Sequence, residues 1–188
     1  MYNLKLLEDF HTEIDKSFNK IDLRRAILPM IRPFLLQNEE LCTEQGISYT
    51  LYAHLAGLNT TKTNLVKLYC TPFLTEELLE AFREYLPNEV RSIMDALVWK
   101  GHMDEREIEE KFNLEIVTLS KNQWGSPSRF LKEEYAFFQT DTNYDYEQRG
   151  NIYTLSLPPI MQKYLIHHYP KPPNYHIHST EPESTSFT

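Results

Sequence analysis

The order of hydrophobic patterns across residues 86–169 constrains the fold of this chain more than any other feature. Apolar side chains at helical spacing predict a helix over residues 89–99, which a turn glycine, Gly101, would end. Asp104 is a favoured N-cap residue and predicts a second helix over residues 105–112, whose outer face is densely charged. Two helices in this order open a small, independently patterned unit.

The pattern then changes from helical to extended and back again. Residues 114–119 are rich in β-branched and aliphatic side chains and predict a short strand. Ser126 followed by Pro127 is a favoured helix start, so we expect a short third helix over residues 127–134.

Two further extended segments predict a hairpin near the end of the unit. Residues 135–140 and 151–157 are the two segments, both containing aromatic side chains, and a long polar loop over residues 141–150 joins them. Side chains of residues 151–157 alternate between two faces, one of which is more apolar. The adjacent prolines that follow open a last helix over residues 160–169. The unit is therefore predicted to contain three helices, a hairpin and a closing helix.

The first half of the chain is predicted to be helical. Residues 3–19 carry one apolar face at helical spacing, and a second helix is expected to begin at Asp22. Pro29 lies inside the second helix, so we expect a kink or two shorter pieces there. Residues 75–85 predict another short helix with an acidic first turn.

Residues 47–71 have the spacing of two helices that cross at a tight turn. Ala53 is small enough for close helix contact, and Gly57 permits the turn. Thr60 or Thr61 is expected to cap the second of these helices, which continues with apolar residues. This arrangement resembles a helix-turn-helix.

The element order across residues 86–169 resembles the winged-helix superfold, and this resemblance implies that the third predicted helix, residues 127–134, is a recognition helix. With the preceding segment it implies a mainly α protein with a small β-hairpin (α+β), in which a helical domain over residues 1–85 precedes a winged-helix-like domain. Tandem winged helices are an alternative. Residues 170–188 are rich in Ser, Thr, Pro and Glu, and we expect them to form a disordered tail.

Charge and composition favour some function classes over others. The 188 residues carry a formal net charge of -8, whereas dedicated nucleic-acid binders are usually basic on at least one face. Cys42 and Cys70 have no metal-site spacing, so we interpret them as buried thiols in a reducing compartment. No secretion signal or apolar run of about 20 residues is evident, so the expected location is cytoplasmic, without membrane contact.

Motifs for catalysis and cofactor binding are missing from the sequence. The chain has five glycines and no glycine-rich phosphate-binding loop or nucleophile elbow, so we expect neither an enzyme nor a cofactor. Four histidines lie close together near the C-terminus, but no carboxylate accompanies them in a ligand pattern. We interpret them as incidental and expect no metal site; they are His167, His168, His176 and His178.

Two groups of residues are candidate contacts for a macromolecular partner. Polar and basic side chains near the turn and the third helix are candidate nucleic-acid contacts. They are Asn59, Thr61, Lys62, Asn64, Lys67, Lys121, Arg129 and Lys132. The polar loop of the hairpin carries candidate protein contacts, because Tyr and Arg are enriched at interaction hot spots. They are Tyr144, Tyr146, Gln148 and Arg149.

The charges of the winged-helix-like unit favour a protein partner over DNA. Its second helix and its hairpin loop are acidic, and both would repel phosphates. The first hypothesis is a non-catalytic adaptor or regulatory subunit in a protein assembly. The alternative is a DNA-binding transcriptional regulator that uses residues 59–67 or 121–132, and a third hypothesis is an enzyme assembled from scattered residues.

Overall fold

The computed structural model describes residues 4–44, 60–121, 127–145 and 150–169, and this part of the chain has a mixed α+β architecture. The α-helices are α1 Leu4–Ser17, α2 Lys20–Ala26, α3 Arg32–Gln37, α4 Glu39–Glu44, α5 Lys62–Cys70, α6 Glu76–Tyr85, α7 Asn88–Lys100, α8 Glu105–Phe112 and α9 Pro159–Leu165. The strands are β1 His102–Asp104, β2 Val117–Lys121, β3 Pro127–Leu131, β4 Gln139–Asp145 and β5 Gly150–Ser156. None of the helices in the described ranges is long and apolar enough to span a membrane.

The predicted starts of α5, α6 and α8 and the predicted end of α7 are confirmed, and the residues that signal them adopt the expected hydrogen bonds or backbone conformation. Thr61 caps α5 and Thr75 caps α6. Asp104 and Glu107 form a reciprocal capping box at the start of α8. Gly101 ends α7 with a φ of 88°, a conformation that a side chain would strain.

Pro29 divides the second predicted helix in the expected way. It lies in a π-helical turn, Ile27–Ile31, that connects α2 to α3. A proline lacks the N–H that an α-helix would use, and a π-turn accommodates the missing hydrogen bond. The prediction of two shorter pieces is therefore confirmed.

Within the described ranges, five strands form two separate antiparallel sheets. The larger sheet has the order β1-β5-β4. Ser156 of the central strand β5 lies opposite His102 of β1 on one side and opposite Gln139 of β4 on the other. The smaller sheet is a hairpin of β2 and β3, in which Leu119 lies opposite Arg129. The predicted strand over residues 151–157 is confirmed as β5.

The predicted third helix over residues 127–134 is wrong. The segment begins with β3 and continues into a 3-10 turn, Glu133–Tyr135. Pro127 is compatible with both the first position of a helix and the end of a strand. Because residues 127–131 pair with the β-rich strand β2, this segment forms a strand instead of a helix. The candidate contacts Arg129 and Lys132 are consequently not on a recognition helix.

The predicted strand over residues 135–140 is also wrong for most of its length. Four consecutive residues, 135–138, are buried, whereas a strand would turn alternate side chains to opposite faces. The chain turns here to bury both Phe137 and Phe138, and β4 begins only at Gln139. Residues 141–145, predicted as a loop, instead extend this strand.

The hydrophobic core is one cluster that includes residues on both sides of Leu86. At its centre Phe137 lies against Tyr69, Phe73 and Phe82, with ring centroids 5.4, 6.1 and 5.6 Å away. The Tyr69 hydroxyl donates a buried hydrogen bond of 2.8 Å to the Phe137 carbonyl oxygen. The first half of the chain and the predicted winged-helix-like unit therefore share their aromatic core, while the division into two domains stays a prediction.

Two further predictions lie outside the described residues. The first helix and the turn glycine of the helix-turn-helix-like segment fall in residues 45–59, and the predicted tail falls in residues 170–188. The second helix of that segment is α5, whose apolar face is buried as the spacing predicts.

Candidate binding surface

A buried carboxylate joins the two hairpins to the start of α8. Glu105 is 8% exposed, and its Oε1 forms an ion pair with the Arg129 Nη2 of β3. Its other oxygen, Oε2, accepts a hydrogen bond of 3.1 Å from the backbone N–H of Tyr153 in β5. Since β1 ends at Asp104, the Glu105 side chain supplies an acceptor where the backbone of β1 no longer reaches β5.

Two more hydrogen bonds complete the junction between β3 and β5. The Tyr153 hydroxyl donates to the Arg129 carbonyl oxygen over 3.0 Å. The Arg129 Nη1 donates to the Asn151 carbonyl oxygen over 3.2 Å. Arg129 is only 26% exposed, so its guanidinium is used within the protein. Arg129 was predicted from the sequence to contact nucleic acid. In the structure it instead connects the two hairpins through its contacts with Glu105, Asn151 and Tyr153.

Large apolar side chains are exposed on these hairpins. Leu119 of β2 is 75% exposed, Phe130 of β3 is 41% exposed and Tyr144 of β4 is 54% exposed. In the described part of the chain, Ile21 on α2 is the one other large apolar residue of comparable exposure. Exposed apolar side chains that lie close together, rather than singly, are typical of surfaces that another protein covers.

Leu119 and Tyr144 lie on either side of the Arg129 junction. Leu119 is the cross-strand partner of Arg129, and Tyr144 is the cross-strand partner of Asn151. Leu119 and Arg129 therefore share a face of the smaller sheet. Tyr144 shares a face of the larger sheet with Asn151, whose carbonyl oxygen accepts a hydrogen bond from Arg129. We call these three residues, Leu119, Arg129 and Tyr144, the hairpin surface. Sequence reasoning identified Tyr144 and Arg129 but missed Leu119, because a leucine in a β-rich run is usually buried.

The predicted nucleic-acid contacts on α5 lie beside α1. Thr61 serves as the helix cap, accepting a hydrogen bond of 3.3 Å from the Asn64 N–H. The Lys62 Nζ forms an ion pair with Asp15 Oδ1 at 3.2 Å. Lys67 is half-buried and close enough to influence His11. The cations here are thus partly neutralised or covered by α1.

The remaining predicted contacts are spread apart. Lys121 is exposed at the end of β2, and Lys132 is half-buried after β3. Asn59 and three of the predicted protein contacts, Tyr146, Gln148 and Arg149, lie outside the described residues. The structure therefore does not gather the predicted cations into one patch within the described ranges.

The two cysteines are poorly suited to nucleophilic or redox chemistry. Burial, with a smaller contribution from Glu39, raises the pKa of Cys42 to about 11. Complete burial raises the pKa of Cys70 well above its ordinary value. A thiol reacts as its thiolate, which is scarce at neutral pH under these conditions. Among the described residues no group of His, Cys, Asp and Glu is arranged to hold a metal ion.

His11 gives the protein a pH dependence that can be measured. Burial, and then the charge of Lys67, lower the pKa of His11, and its Nε2 has no hydrogen-bond partner in the described part of the chain. Below the ordinary value of 6.5 the unfolded chain takes up a proton here more readily than the folded one. Stability is therefore lost as the pH falls through 6.5 towards the lower pKa of the folded state.

We expect a His11→Gln variant to weaken this pH dependence. Thermal melts between about pH 7.5 and about pH 5.5 should show a smaller fall in Tm for His11→Gln than for the wild type. The exposed His167 provides the matched control, and His167→Gln should keep the wild-type slope. Equal slopes for the wild type and His11→Gln would contradict the assignment.

Comparisons of this chain with protein-family models, with curated proteins and with solved structures found no match.

Proposed function

We propose that this chain is a non-catalytic protein-interaction module, an adaptor or regulatory subunit that docks a partner through the hairpin surface. The observation that carries the proposal is the 75% exposure of Leu119, together with the ion-paired Arg129 and the exposed Tyr144 of the hairpin surface. Arginine and tyrosine are enriched among the residues that dominate binding energies. Because one ion pair, with Glu105, and a hydrogen bond to the Asn151 carbonyl oxygen already order Arg129, little side-chain entropy would be lost when a partner covers it.

The proposed fold relationship is a winged-helix variant over residues 86–169. Its support is the order α7, β1, α8 and then the β4–β5 hairpin, with β1 paired beside β5. In this proposal the β2–β3 hairpin stands where a recognition helix would be expected. A β-hairpin with two exposed apolar side chains suits a protein partner better than the edges of DNA bases.

The test compares capture of partners by three forms of the full chain. The Leu119→Ser/Tyr144→Ser double variant removes the apolar part of the hairpin surface, and Ile21→Ser removes an equally exposed apolar side chain on α2. We expect a stoichiometric partner to be captured from cell extract by the wild type and by Ile21→Ser, and lost with the double variant. Calorimetry with that partner in purified form should show a weakening of about tenfold or more.

Two outcomes would overturn the docking proposal. One is a purified partner that binds the Leu119→Ser/Tyr144→Ser variant as tightly as the wild type. The other is equal weakening by Ile21→Ser, which would indicate general surface hydrophobicity. Neither exposed position belongs to the buried core cluster, so unchanged melting temperatures serve as the folding control.

The alternative, a DNA-binding regulator, is favoured by one local feature. Residues 16–32 hold five cations and one anion, Asp22, in a chain whose net charge is -8. The five cations are Lys16, Lys20, Arg24, Arg25 and Arg32. A salt titration with random duplex DNA separates the two functions. Affinity at low salt that falls steeply as salt rises would contradict a purely protein-binding role.

A further inference from the structure

A second candidate site lies on the opposite face of the β1-β5-β4 sheet. A groove of about 1040 Å³ runs over this face, and its floor is built from polar side chains in register. Ser156 stands between His102 and Gln139, and Thr154 stands between Asp104 and Asp141. Side chains alternate between the two faces of a strand, and on the opposite face Met103 and Leu155 are buried in the core. The groove face therefore carries the polar side chains of these strands.

Helices wall this polar floor on two sides, which makes it concave. The first turn of α9 and the last turns of α1 stand beside it, together with the start of α8. The wall residues that the argument uses are Glu13, Lys16, Glu107 and Gln162. The groove is broadly open to solvent, so a ligand would lie along it rather than be enclosed by it.

The charge of the groove is predominantly negative. Its lining contains the four carboxylates Glu13, Asp104, Glu107 and Asp141 and a single lysine, Lys16. Glu107 is already paired with Lys100 at 2.5 Å, so it is largely neutralised. The other three carboxylates leave an excess of negative charge over the floor and one wall.

Those three carboxylates are held in place by hydrogen bonds that use one oxygen each. Glu13 Oε1 accepts from the Ile160 N–H over 2.8 Å and so caps α9. Asp104 Oδ1 accepts from the Glu107 N–H over 2.9 Å, and Asp141 Oδ1 from the Thr142 N–H over 2.8 Å. These hydrogen bonds use Oε1 of Glu13 and Oδ1 of Asp104 and Asp141, and within the described ranges they hold each carboxylate in position before any ligand arrives.

We infer that this groove binds an extended basic segment of a partner protein through its arginine or lysine side chains. A guanidinium or ammonium group carries a positive charge and several hydrogen-bond donors. It can therefore form charge-assisted hydrogen bonds with the carboxylate oxygens, beside the hydroxyl and amide groups of the groove floor. A nucleic acid would bring phosphates towards the same carboxylates and be repelled. The inference goes beyond the hairpin surface, since Tyr144 and Asp141 lie on opposite faces of β4.

Isosteric variants test this inference without disturbing the fold. Glu13→Gln and Asp141→Asn remove the charges but keep the Oε1 and Oδ1 acceptors that bond to Ile160 and Thr142. The matched control is Glu40→Gln/Glu84→Gln, which changes the net charge equally at exposed positions outside the groove. The probe is a fluorescein-labelled peptide of alternating arginine and glycine, titrated with the full chain at low salt and followed by fluorescence anisotropy.

We expect the Glu13→Gln/Asp141→Asn variant to bind the peptide about tenfold or more weakly than the wild type, because two charge-assisted contacts are lost. The Glu40→Gln/Glu84→Gln control should stay within about twofold, since distant exposed charges are screened. In the bound state, NMR amide shifts should change most at Asn143, Thr154 and Ser156, which are groove residues.

Three results would overturn the inference. They are equal weakening by the groove and control variants, no peptide binding at low salt, and shift changes that spare the groove. The Leu119→Ser/Tyr144→Ser variant should bind the peptide as tightly as the wild type. The peptide assay therefore tests the groove independently of the docking proposal for the hairpin surface.

Discussion

Replacing Phe137 by alanine is expected to lower the free energy of unfolding by about 4 kcal/mol, the largest effect of any change considered for this protein. Phe137 is 1% exposed and contacts the rings of Tyr69, Phe73 and Phe82, which belong to the first half of the chain. Truncation would leave a cavity between that half and the sheet-bearing half. Denaturant unfolding followed by both circular dichroism and tryptophan fluorescence measures the loss.

The Phe137→Ala variant also tests whether the two halves unfold together. Because the aromatic contacts join elements on both sides of Leu86, we expect one cooperative transition in which the two probes coincide. The matched control is Phe130→Ala, the same substitution at an exposed position, which should cost at most about 1 kcal/mol. Two separated transitions in the wild type, or a loss under about 1 kcal/mol in Phe137→Ala, would contradict the shared core.

The helices were predictable because their signals are local. Thr61, Thr75 and Asp104 each make the cap that their residue type favours, and Gly101 adopts the conformation that glycine favours. Each of these signals involves residues only a few positions apart. Periodicity and capping chemistry therefore gave the starts of α5, α6 and α8 and the end of α7, and the interruption at Pro29 followed from the missing N–H. The start of α2 at Lys20 and the end of α9 at Leu165 differ from the predicted residues 22 and 169.

The β2–β3 hairpin and the turn before β4 were not predictable in the same way. Residues 126–134 contain a favourable helix start, and the partner strand that overrides it lies several residues away. At Phe137 and Phe138 two consecutive rings are buried because helices from the first half surround them. Neither strand pairing nor this enclosure is encoded within a short window of sequence.

The candidate site was only partly predictable for a related reason. Tyr144 was identified from its residue type, and its exposure agrees with a contact surface. Arg129 was predicted to contact nucleic acid because cationic side chains on a recognition helix commonly bind phosphates or bases. The structure pairs Arg129 with Glu105, which is 24 positions earlier and was counted among the charges of a solvated helix face. Only the folded arrangement shows that these two charges neutralise each other.

Removing Glu105 is the second prediction with a large expected effect. Glu105→Ala leaves the largely covered Arg129 guanidinium without its carboxylate and the Tyr153 N–H without its acceptor. We expect the free energy of unfolding to fall by about 3 kcal/mol, at the lower end of the cost of breaking a buried ion pair, because Arg129 is 26% exposed. The control is Glu110→Ala, an exposed position on the same helix, which should change stability by less than about 0.5 kcal/mol.

A double-mutant cycle with Arg129→Ala separates the ion pair from the loss of the hydrogen bond to β5. If the pair joins the hairpins as described, the two single substitutions should be non-additive by about 2 kcal/mol. Additive effects would mean that the two side chains stabilise the protein independently. Glu105→Gln keeps an oxygen that can accept from the Tyr153 N–H, so it should retain part of the stability that Glu105→Ala loses. Equal losses in Glu105→Gln and Glu105→Ala would assign the whole effect to the charge.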